Sequence, residues 1–124
     1  MNLTILKVCC GAKPEVVTIP HTLKSMQDLV GGTIEAIYPF DDHVAVVCND
    51  EGKLMGLHLN RAIRDPETGT ILDIIAGTFF ICGLSEDDFA SLTSKQIEHY
   101  SNLFRFPEIF LQGESQLLIL QMEA

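Results

Sequence analysis

The sequence contains few basic side chains. Only 8 of its 124 residues are lysine or arginine, against 17 aspartates and glutamates, so the net charge is −9 and the isoelectric point is about 4.6. Such a chain repels the phosphate backbones of DNA and RNA, because nucleic-acid binding depends on neutralising phosphates with lysine and arginine. The balance therefore disfavours direct nucleic-acid binding and favours a basic protein as partner. Solubility is the alternative reason for this much acid.

The sequence also lacks a long apolar run. Hydrophobic residues make up 47% of the chain, yet no run reaches the roughly 18 uncharged residues that a bilayer span needs. The first seven residues, MNLTILK, place their only basic residue after the apolar ones, whereas a signal peptide places basic residues first. We therefore expect no membrane contact and a cytoplasmic location in a bacterial host cell, with this segment retained as the first strand.

Cysteine is too scarce for a disulfide scaffold. Cys48 and Cys82 each lie in an apolar run, which predicts buried, reduced thiols and no native disulfide. Cys9 and Cys10 are adjacent, so in a strand they point to opposite faces and cannot hold one metal ion together. The acidic stretch 49–52 lacks the alternating oxygen ligands and closing glutamate of a calcium loop. We expect no metal and no other cofactor.

Motifs of known catalytic sites are missing as well. The chain has no Gly-x-Ser-x-Gly nucleophile elbow, phosphate loop or dinucleotide fingerprint. Its four histidines are isolated in sequence, and its paired carboxylates fall in turns, where solvent opposes the pKa shifts that acid–base catalysis requires. These absences predict a protein that is not an enzyme. A hydrolase with an unfamiliar site is the alternative.

Apolar runs separated by turn residues predict a set of short strands. The predicted strands are 3–8, 16–19, 33–38, 43–48, 53–59, 71–82 and 117–120. We interpret 43–59 as a hairpin around the turn 49–52, and Gly77 as either a bulge or a point of close backbone packing within the strand 71–82. The last strand is predicted either to pair with the sheet or to mediate self-association as a homodimer.

Helix signals occur at three places. Thr22 is a predicted N-cap of a helix that Gly31 and Gly32 end, and Thr93 is a predicted N-cap of a helix that ends before Pro107. The stretch 85–88 resembles a capped, acidic first turn. The whole pattern predicts a single α+β domain over residues 1–124: a largely antiparallel sheet of about five or six strands with two or three helices packed on one face.

The acidic turns are the candidate partner-binding residues. They are Asp41, Asp42, Asp50, Glu51, Glu86, Asp87 and Asp88. Asn60 and Arg61, at the end of a predicted strand, are candidates for contact with an anion or with a carboxylate of a partner. An exposed polar strand end without any function is the alternative for these two residues.

Three stretches carry a family resemblance: "LVGGTIEAIYPFDD", "VAVVCNDEGKLMGLHLNRAI" and "DIIAGTFFICGL". Together they resemble an uncharacterised bacterial family, a domain of unknown function found on conjugative elements and phages of gut bacteria, over residues from about 14 to 107. One branch of small, stand-alone proteins similar to this one is assigned as anti-CRISPR inhibitors of the RNA-guided nuclease that cuts both DNA strands. Similar domains also occur as modules of larger mobile-element proteins.

The resemblance implies a stoichiometric inhibitor with no catalytic residues. An RNA-guided nuclease holds nucleic acid in positively charged channels and reads its flanking motif with arginines, so an acidic protein can occupy the same surfaces. The leading hypothesis is therefore an anti-defence protein whose acidic turns block nucleic-acid engagement by a CRISPR nuclease. The rival is a pocket protein that sequesters a small nucleotide immune signal, for which a large pocket lined by Asn60, Arg61 or Arg64 would be the sign.

Overall fold

The structure is a computed structural model that describes residues 1–122. Within that range the chain forms ten strands and two helices. In order, these are β1 (Asn2–Val8), β2 (Glu15–Pro20), α1 (Leu23–Val30), β3 (Ile34–Ile37), β4 (Val44–Asn49), β5 (Leu59–Arg64), β6 (Ile71–Ala76), β7 (Phe79–Leu84), β8 (Phe89–Ala90), α2 (Ser94–Leu103), β9 (Glu108–Gln112) and β10 (Leu117–Gln121).

The main sheet has six strands. Five of them follow the order β2-β1-β7-β4-β3, and the short β8 pairs with β7. All of these pairs are antiparallel, which confirms the predicted sheet type and size. Two further two-stranded antiparallel sheets, β5–β6 and β9–β10, lie outside the main sheet.

The two helices pack on opposite faces of the main sheet, so the prediction that helices share one face is wrong. Met26 and Val30 of α1 belong to one apolar core. Tyr100 of α2 and Phe104, the C-cap residue of that helix, belong to the other core, together with Ile63 and Ile75 of the β5–β6 sheet. Every residue of the central strand β4 is buried, so apolar side chains project from both faces of the sheet. Both faces must therefore be covered by other elements.

The helix caps agree with the sequence. The Thr22 side chain accepts a hydrogen bond from the Ser25 N–H at 3.1 Å, and Gly31 ends α1 with a left-handed φ of 80°. Thr93 and Gln96 form a reciprocal capping box at the start of α2. The predicted third helix does not exist: residues 85–88 form the turn between β7 and β8, closed by the hydrogen bond from Ser85 N–H to Asp88 O at 2.9 Å.

The predicted hairpin over 43–59 is also wrong. Strand β4 already has a hydrogen-bonded neighbour on each side, β3 and β7, so no edge is free for a following arm. Residues 50–56 instead form successive turns, such as the one closed by Met55 N–H and Glu51 O at 2.8 Å. Residues 59–64 form β5, which pairs with β6. The turn residues therefore predicted that the chain turns after β4, but they did not predict which strand the following segment pairs with.

The predicted strand 71–82 is two strands that belong to different sheets. Gly77 separates them with a φ of 82°, a left-handed conformation that glycine adopts without the steric cost of a side chain. Its N–H donates to His58 O at 2.8 Å. Before this residue the chain pairs with β5, and after it the chain pairs with β1 and β4. Gly77 therefore directs the chain from the two-stranded β5–β6 sheet into the main sheet.

Cys48 and Cys82 are buried, as predicted, and are free thiols on opposite faces of the main sheet. Burial raises the pKa of Cys48 to about 11 and that of Cys82 to about 12. Both thiols are therefore held in the unreactive, protonated form at neutral pH. Cys10 is exposed, and partial burial of its sulfur raises its pKa as well.

Candidate partner-binding surface

Two acidic turns that are distant in sequence meet at one end of the main sheet. Asp41 and Asp42 immediately precede β4, and the turn Glu86–Asp88 follows β7. Since β4 and β7 are antiparallel neighbours, with Val44 opposite Gly83, the start of one strand lies beside the end of the other. The Leu84 N–H donates to His43 O at 2.9 Å and joins the two turns directly. We call Asp41, Asp42, Glu86, Asp87 and Asp88 the acidic end.

The other acidic candidates do not belong to this surface. Asp50 and Glu51 follow β4, at the opposite end of that strand. A six-residue strand is about 20 Å long at ~3.3 Å per residue, so the two acidic pairs cannot contact the same small site. Asp50 and Glu51 line a separate cleft of about 160 Å³ beside the ion pair between Lys53 and Asp73, whose Nζ–Oδ1 distance is 3.0 Å.

Asp42 is fixed in position by α2. Its Oδ2 accepts a hydrogen bond from the Tyr100 hydroxyl at 2.8 Å, and its Oδ1 accepts from Gln96 Nε2 at 3.3 Å and from the His43 N–H at 2.7 Å. Partial burial opposes ionisation of this carboxyl, but the three donors outweigh it and lower the pKa of Asp42. Asp42 is therefore a held, ionised carboxylate at neutral pH.

The other members of the acidic end are more exposed to partners. Asp41, Glu86 and Asp87 are exposed, and within residues 1–122 no hydrogen bond or ion pair engages their carboxylates. Asp88 Oδ2 lies 3.2 Å from His21 Nε2, and Asp88 Oδ1 caps the Phe89 N–H at 2.7 Å. The surface thus combines two anchored carboxylates with three free ones.

A groove of about 680 Å³ opens beside Asp41 and Asp42. It lies between α2 and the loop that joins β5 to β6, and its carboxylates are Asp41, Asp42 and Asp65. Arg64 and His99 also line it, and apolar and aromatic side chains, among them Phe40 and Leu103, form much of the remaining wall. The three carboxylates outnumber Arg64, which is itself paired with Glu108 at 2.8 Å. The groove therefore combines an apolar floor with a rim that is negative on balance, which suits the aliphatic stem and cationic head of lysine or arginine.

Tyr100 joins this groove to the core. Its ring is buried and lies 5.2 Å from the Phe40 ring, centroid to centroid. The role of its hydroxyl was not predicted from the sequence. A buried tyrosine hydroxyl needs a hydrogen-bond partner, and Asp42 supplies it. Burial, followed by the hydrogen bond to Asp42 and its negative charge, raises the pKa of Tyr100.

We predict that Tyr100 stays protonated in the folded protein well above the ordinary tyrosine pKa of about 10. The chain has two tyrosines and no tryptophan, so in a Tyr38→Phe variant the ultraviolet absorbance of phenolate reports Tyr100 alone. Because the folded-state pKa is raised, the stability that the neutral hydroxyl contributes is fully present below the unfolded-state pKa and is lost as pH rises through the folded-state pKa. In an alkaline titration, phenolate absorbance should therefore rise together with the unfolded fraction, which circular dichroism measures.

Asp42→Asn in the same Tyr38→Phe background is the control for this prediction. It removes the negative charge that disfavours phenolate, so the transition should move to lower pH, while burial still holds it above the ordinary value. Ionisation of Tyr100 near about pH 10 with native circular dichroism in the parent background would contradict the prediction.

Asn60 and Arg61 lie in the interior instead of at an exposed strand end. Each is 1% exposed. All five N–H groups of the Arg61 guanidinium have acceptors within the protein: Phe104 O at 3.0 and 3.2 Å, Ala12 O at 2.6 Å, Asn60 Oδ1 at 2.8 Å and Asn60 O at 3.4 Å. Asn60 Nδ2 donates to Val8 O and Gly77 O, both at 2.9 Å. Neither side chain is free to hold an external anion.

Sequence reasoning missed the carboxylate that lies near Arg61. Glu108 is buried; its Oε1 accepts from the Ala62 N–H at 2.9 Å and its Oε2 accepts from Arg64 Nη2 at 2.8 Å. Burial lowers the pKa of Arg61, and the negative charge of Glu108 partly opposes that shift. A glutamate followed at once by an apolar β-like run, 109–111, was the available signal, because a polar residue at the start of a strand must face either solvent or a buried partner.

Residues 1–122 contain no group of three or more metal-ligating side chains that could hold an ion together. No helix in that range is long and apolar enough to cross a membrane. The cavity that Arg61 and Arg64 line together has a volume of about 40 Å³, which holds a water molecule but not a nucleotide. Of the three residues whose presence in a large pocket would indicate a nucleotide-binding protein, Arg64 alone lines the groove of about 680 Å³.

Residues 1–105 match the family model described as "Domain of unknown function (DUF3846)". The chain belongs to this family. The match includes the acidic end and Asn60 and Arg61, and it stops before the β9–β10 hairpin. No curated protein matches the chain, and no solved structure does. The family description names no activity, so membership of the family by itself assigns no function.

Proposed function

We propose that this protein is a non-enzymatic binding protein that docks its acidic end on a basic surface of another protein. The observation that carries the proposal is the convergence of Asp41–Asp42 and Glu86–Asp88, which lie more than forty residues apart in sequence, on one end of the sheet. Among the described residues no lysine or arginine forms an ion pair with these five acids. Their charge is therefore available to an external partner.

The groove gives this surface a specific anchor. A lysine or arginine of the partner would lay its aliphatic stem on Phe40 and Leu103 and place its cation at the rim carboxylates. Tyr100 and Gln96 already hold Asp42 in its rotamer, so binding would cost little ordering of that side chain. Asp41 and the turn after β7 would supply rim contacts, which mainly govern the association rate.

The partner we propose is an RNA-guided CRISPR nuclease, and the class is that of an anti-CRISPR inhibitor carried by a mobile genetic element or phage and acting in the bacterial cytoplasm. The choice starts from the expected resemblance to the stand-alone inhibitor branch, and one observation supports it: part of the net charge of −9 lies on one end of the sheet. Such nucleases hold nucleic acid in positively charged channels. Occupation of a channel would block nucleic-acid engagement without catalysis.

Sequestration of a nucleotide signal is the weaker alternative. It would require cationic side chains free to bind phosphates in an open pocket, whereas Asn60 and Arg61 are buried, and Arg64, which lines the large groove, is paired with Glu108. Three carboxylates line the same groove, so its charge on balance repels phosphates. An interaction module of a larger mobile-element protein could use the same acidic end on a different basic partner.

A pull-down with the purified nuclease tests the proposal. The protein should retain the nuclease at low salt, and guide RNA or target DNA should compete if the acidic end occupies a nucleic-acid channel. Cleavage should be inhibited at stoichiometric, not catalytic, concentrations of the protein. Absence of retention and of inhibition would overturn the choice of partner, and turnover of nuclease, guide or target would overturn the non-enzymatic assignment.

A further inference from the structure

The β9–β10 hairpin has an apolar face that nothing in the described chain covers. In its register Leu118 lies opposite Leu111, and Leu120 lies opposite Ile109. Because side chains two residues apart share a face of a strand, these four residues and Met122 project from the same side. They are 40–51% exposed. Contiguous exposed apolar surface of this kind marks an interaction site more often than scattered single residues do.

The opposite face of the hairpin explains why it is ordered without that cover. Phe110 and Ile119 form a cross-strand pair on this inner face and are half-buried. Glu108, on the same side, is tied to β5 through the Ala62 N–H and to the Arg64 guanidinium. The hairpin is therefore anchored to the domain by one face, and its apolar outer face is directed outward.

One strand edge of the hairpin is also unprotected. Strands β9 and β10 form a backbone ladder only with each other among the described residues. The other side of β9 lies beside β5, where Glu108 accepts from the Ala62 N–H, so the free edge is that of β10. Natural edge strands are commonly guarded by lysine, proline or a bulge. The sequences EIFLQ and LLILQ contain no lysine, proline or glycine, and their pairing has no register shift. Such an edge favours pairing with another strand.

We propose that the outer face of the β9–β10 hairpin is the contact between two copies of this chain. Charge favours this occupant: the five outer-face residues carry no charge, so a basic partner would find no counter-charge there, whereas two copies with a net charge of −9 meet with least repulsion at a neutral surface. In a dimer with two-fold symmetry, each copy would also present the same apolar face and the same strand edge to the other copy. The proposal is independent of the function of the acidic end.

Sedimentation velocity of the full chain over a range of concentrations tests the proposal. The parent should sediment as a dimer at high concentration and dissociate on dilution. Leu111→Thr with Leu118→Thr removes the central apolar pair while retaining β-forming residues, and should sediment as a monomer with unchanged far-ultraviolet circular dichroism. The control is Leu54→Thr with Leu72→Thr, which makes the same chemical change at residues 89% and 51% exposed elsewhere, and should remain a dimer.

A second variant keeps the test decisive if the double substitution impairs folding. Leu118→Lys places a charge on the outer face, and burial of that charge in a dimer is costly, so it should also yield a folded monomer. A parent chain that is monomeric at all concentrations would overturn the proposal, and so would a hairpin variant that remains a dimer.

Discussion

Replacing Arg61 with methionine is expected to lower the free energy of unfolding by about 3–5 kcal/mol, because it leaves several buried acceptors without donors and each costs about 1–3 kcal/mol. The buried acceptors are the carbonyls of Phe104 and Asn60 and the side-chain oxygen of Asn60, and the Ala12 carbonyl is a partly buried one. Three of these acceptors are backbone groups, which no substitution at position 61 can remove. The midpoint of urea unfolding measures the loss, with the slope unchanged if the two states keep their compactness.

Arg105→Met is the control for this prediction. Arg105 is exposed, and its guanidinium lies 4.6 Å from the centroid of the Phe106 ring, so the same change of residue type should cost about 1 kcal/mol or less. Arg61→Gln retains two donors and should fall between Arg61→Met and the parent. Equal urea midpoints for Arg61→Met and the parent would show that the five internal hydrogen bonds contribute little to stability.

Neutralising the free acids of the acidic end should weaken binding to the nuclease about tenfold, since three exposed contacts at about 0.5 kcal/mol each add up to about 1.5 kcal/mol. The test variant is Asp41→Asn with Glu86→Gln and Asp87→Asn. The control is Glu35→Gln with Asp50→Asn and Glu51→Gln, which removes the same number of charges from exposed positions away from the acidic end. Binding and inhibition of cleavage should be measured beside a melting curve for each variant.

Salt should change the two variants differently. Screening shortens the reach of exposed charges to about 10 Å near 0.1 M salt, so binding by the parent and by the control should weaken as salt rises. Binding by the acidic-end variant should depend less on salt, because its local contacts are gone. Equal affinities of the two variants, both well folded, would mean that only net charge matters and that the acidic end is not the contact surface.

Local signals in the sequence were reliable for the helices. Thr22 and Thr93 are followed by apolar residues at helical spacing, and capping is a contact within a single turn. Such contacts depend on neighbours in sequence, so the structure has both caps where they were predicted. The stretch 85–88 has similar residues but lacks an apolar stripe on a following turn, and it became a β-turn because β7 and β8 pair around it.

Strand pairing was not predictable in the same way. The apolar runs identified most of the strands, but a run does not reveal which edge it joins, because edge pairing depends on segments far away in the chain. Both edges of β4 are occupied by β3 and β7, and this excludes residues 53–59 as the predicted second arm beside β4. The length of β4 separates Asp50 and Glu51 from Asp41 and Asp42.

The sequence by itself determined the acidity, the helix caps, the antiparallel α+β class and the burial of Cys48 and Cys82, since these depend on composition and on short-range pattern. Only the tertiary structure decided which acids are neighbours and which polar residues are available. Asp42 acquired Tyr100 as its hydrogen-bond donor across 58 positions, and Arg61 acquired Phe104 as its acceptor across 43 positions. Contacts over such separations form only when sheet and helix pack together, because packing decides which polar groups leave water and must find partners inside the protein.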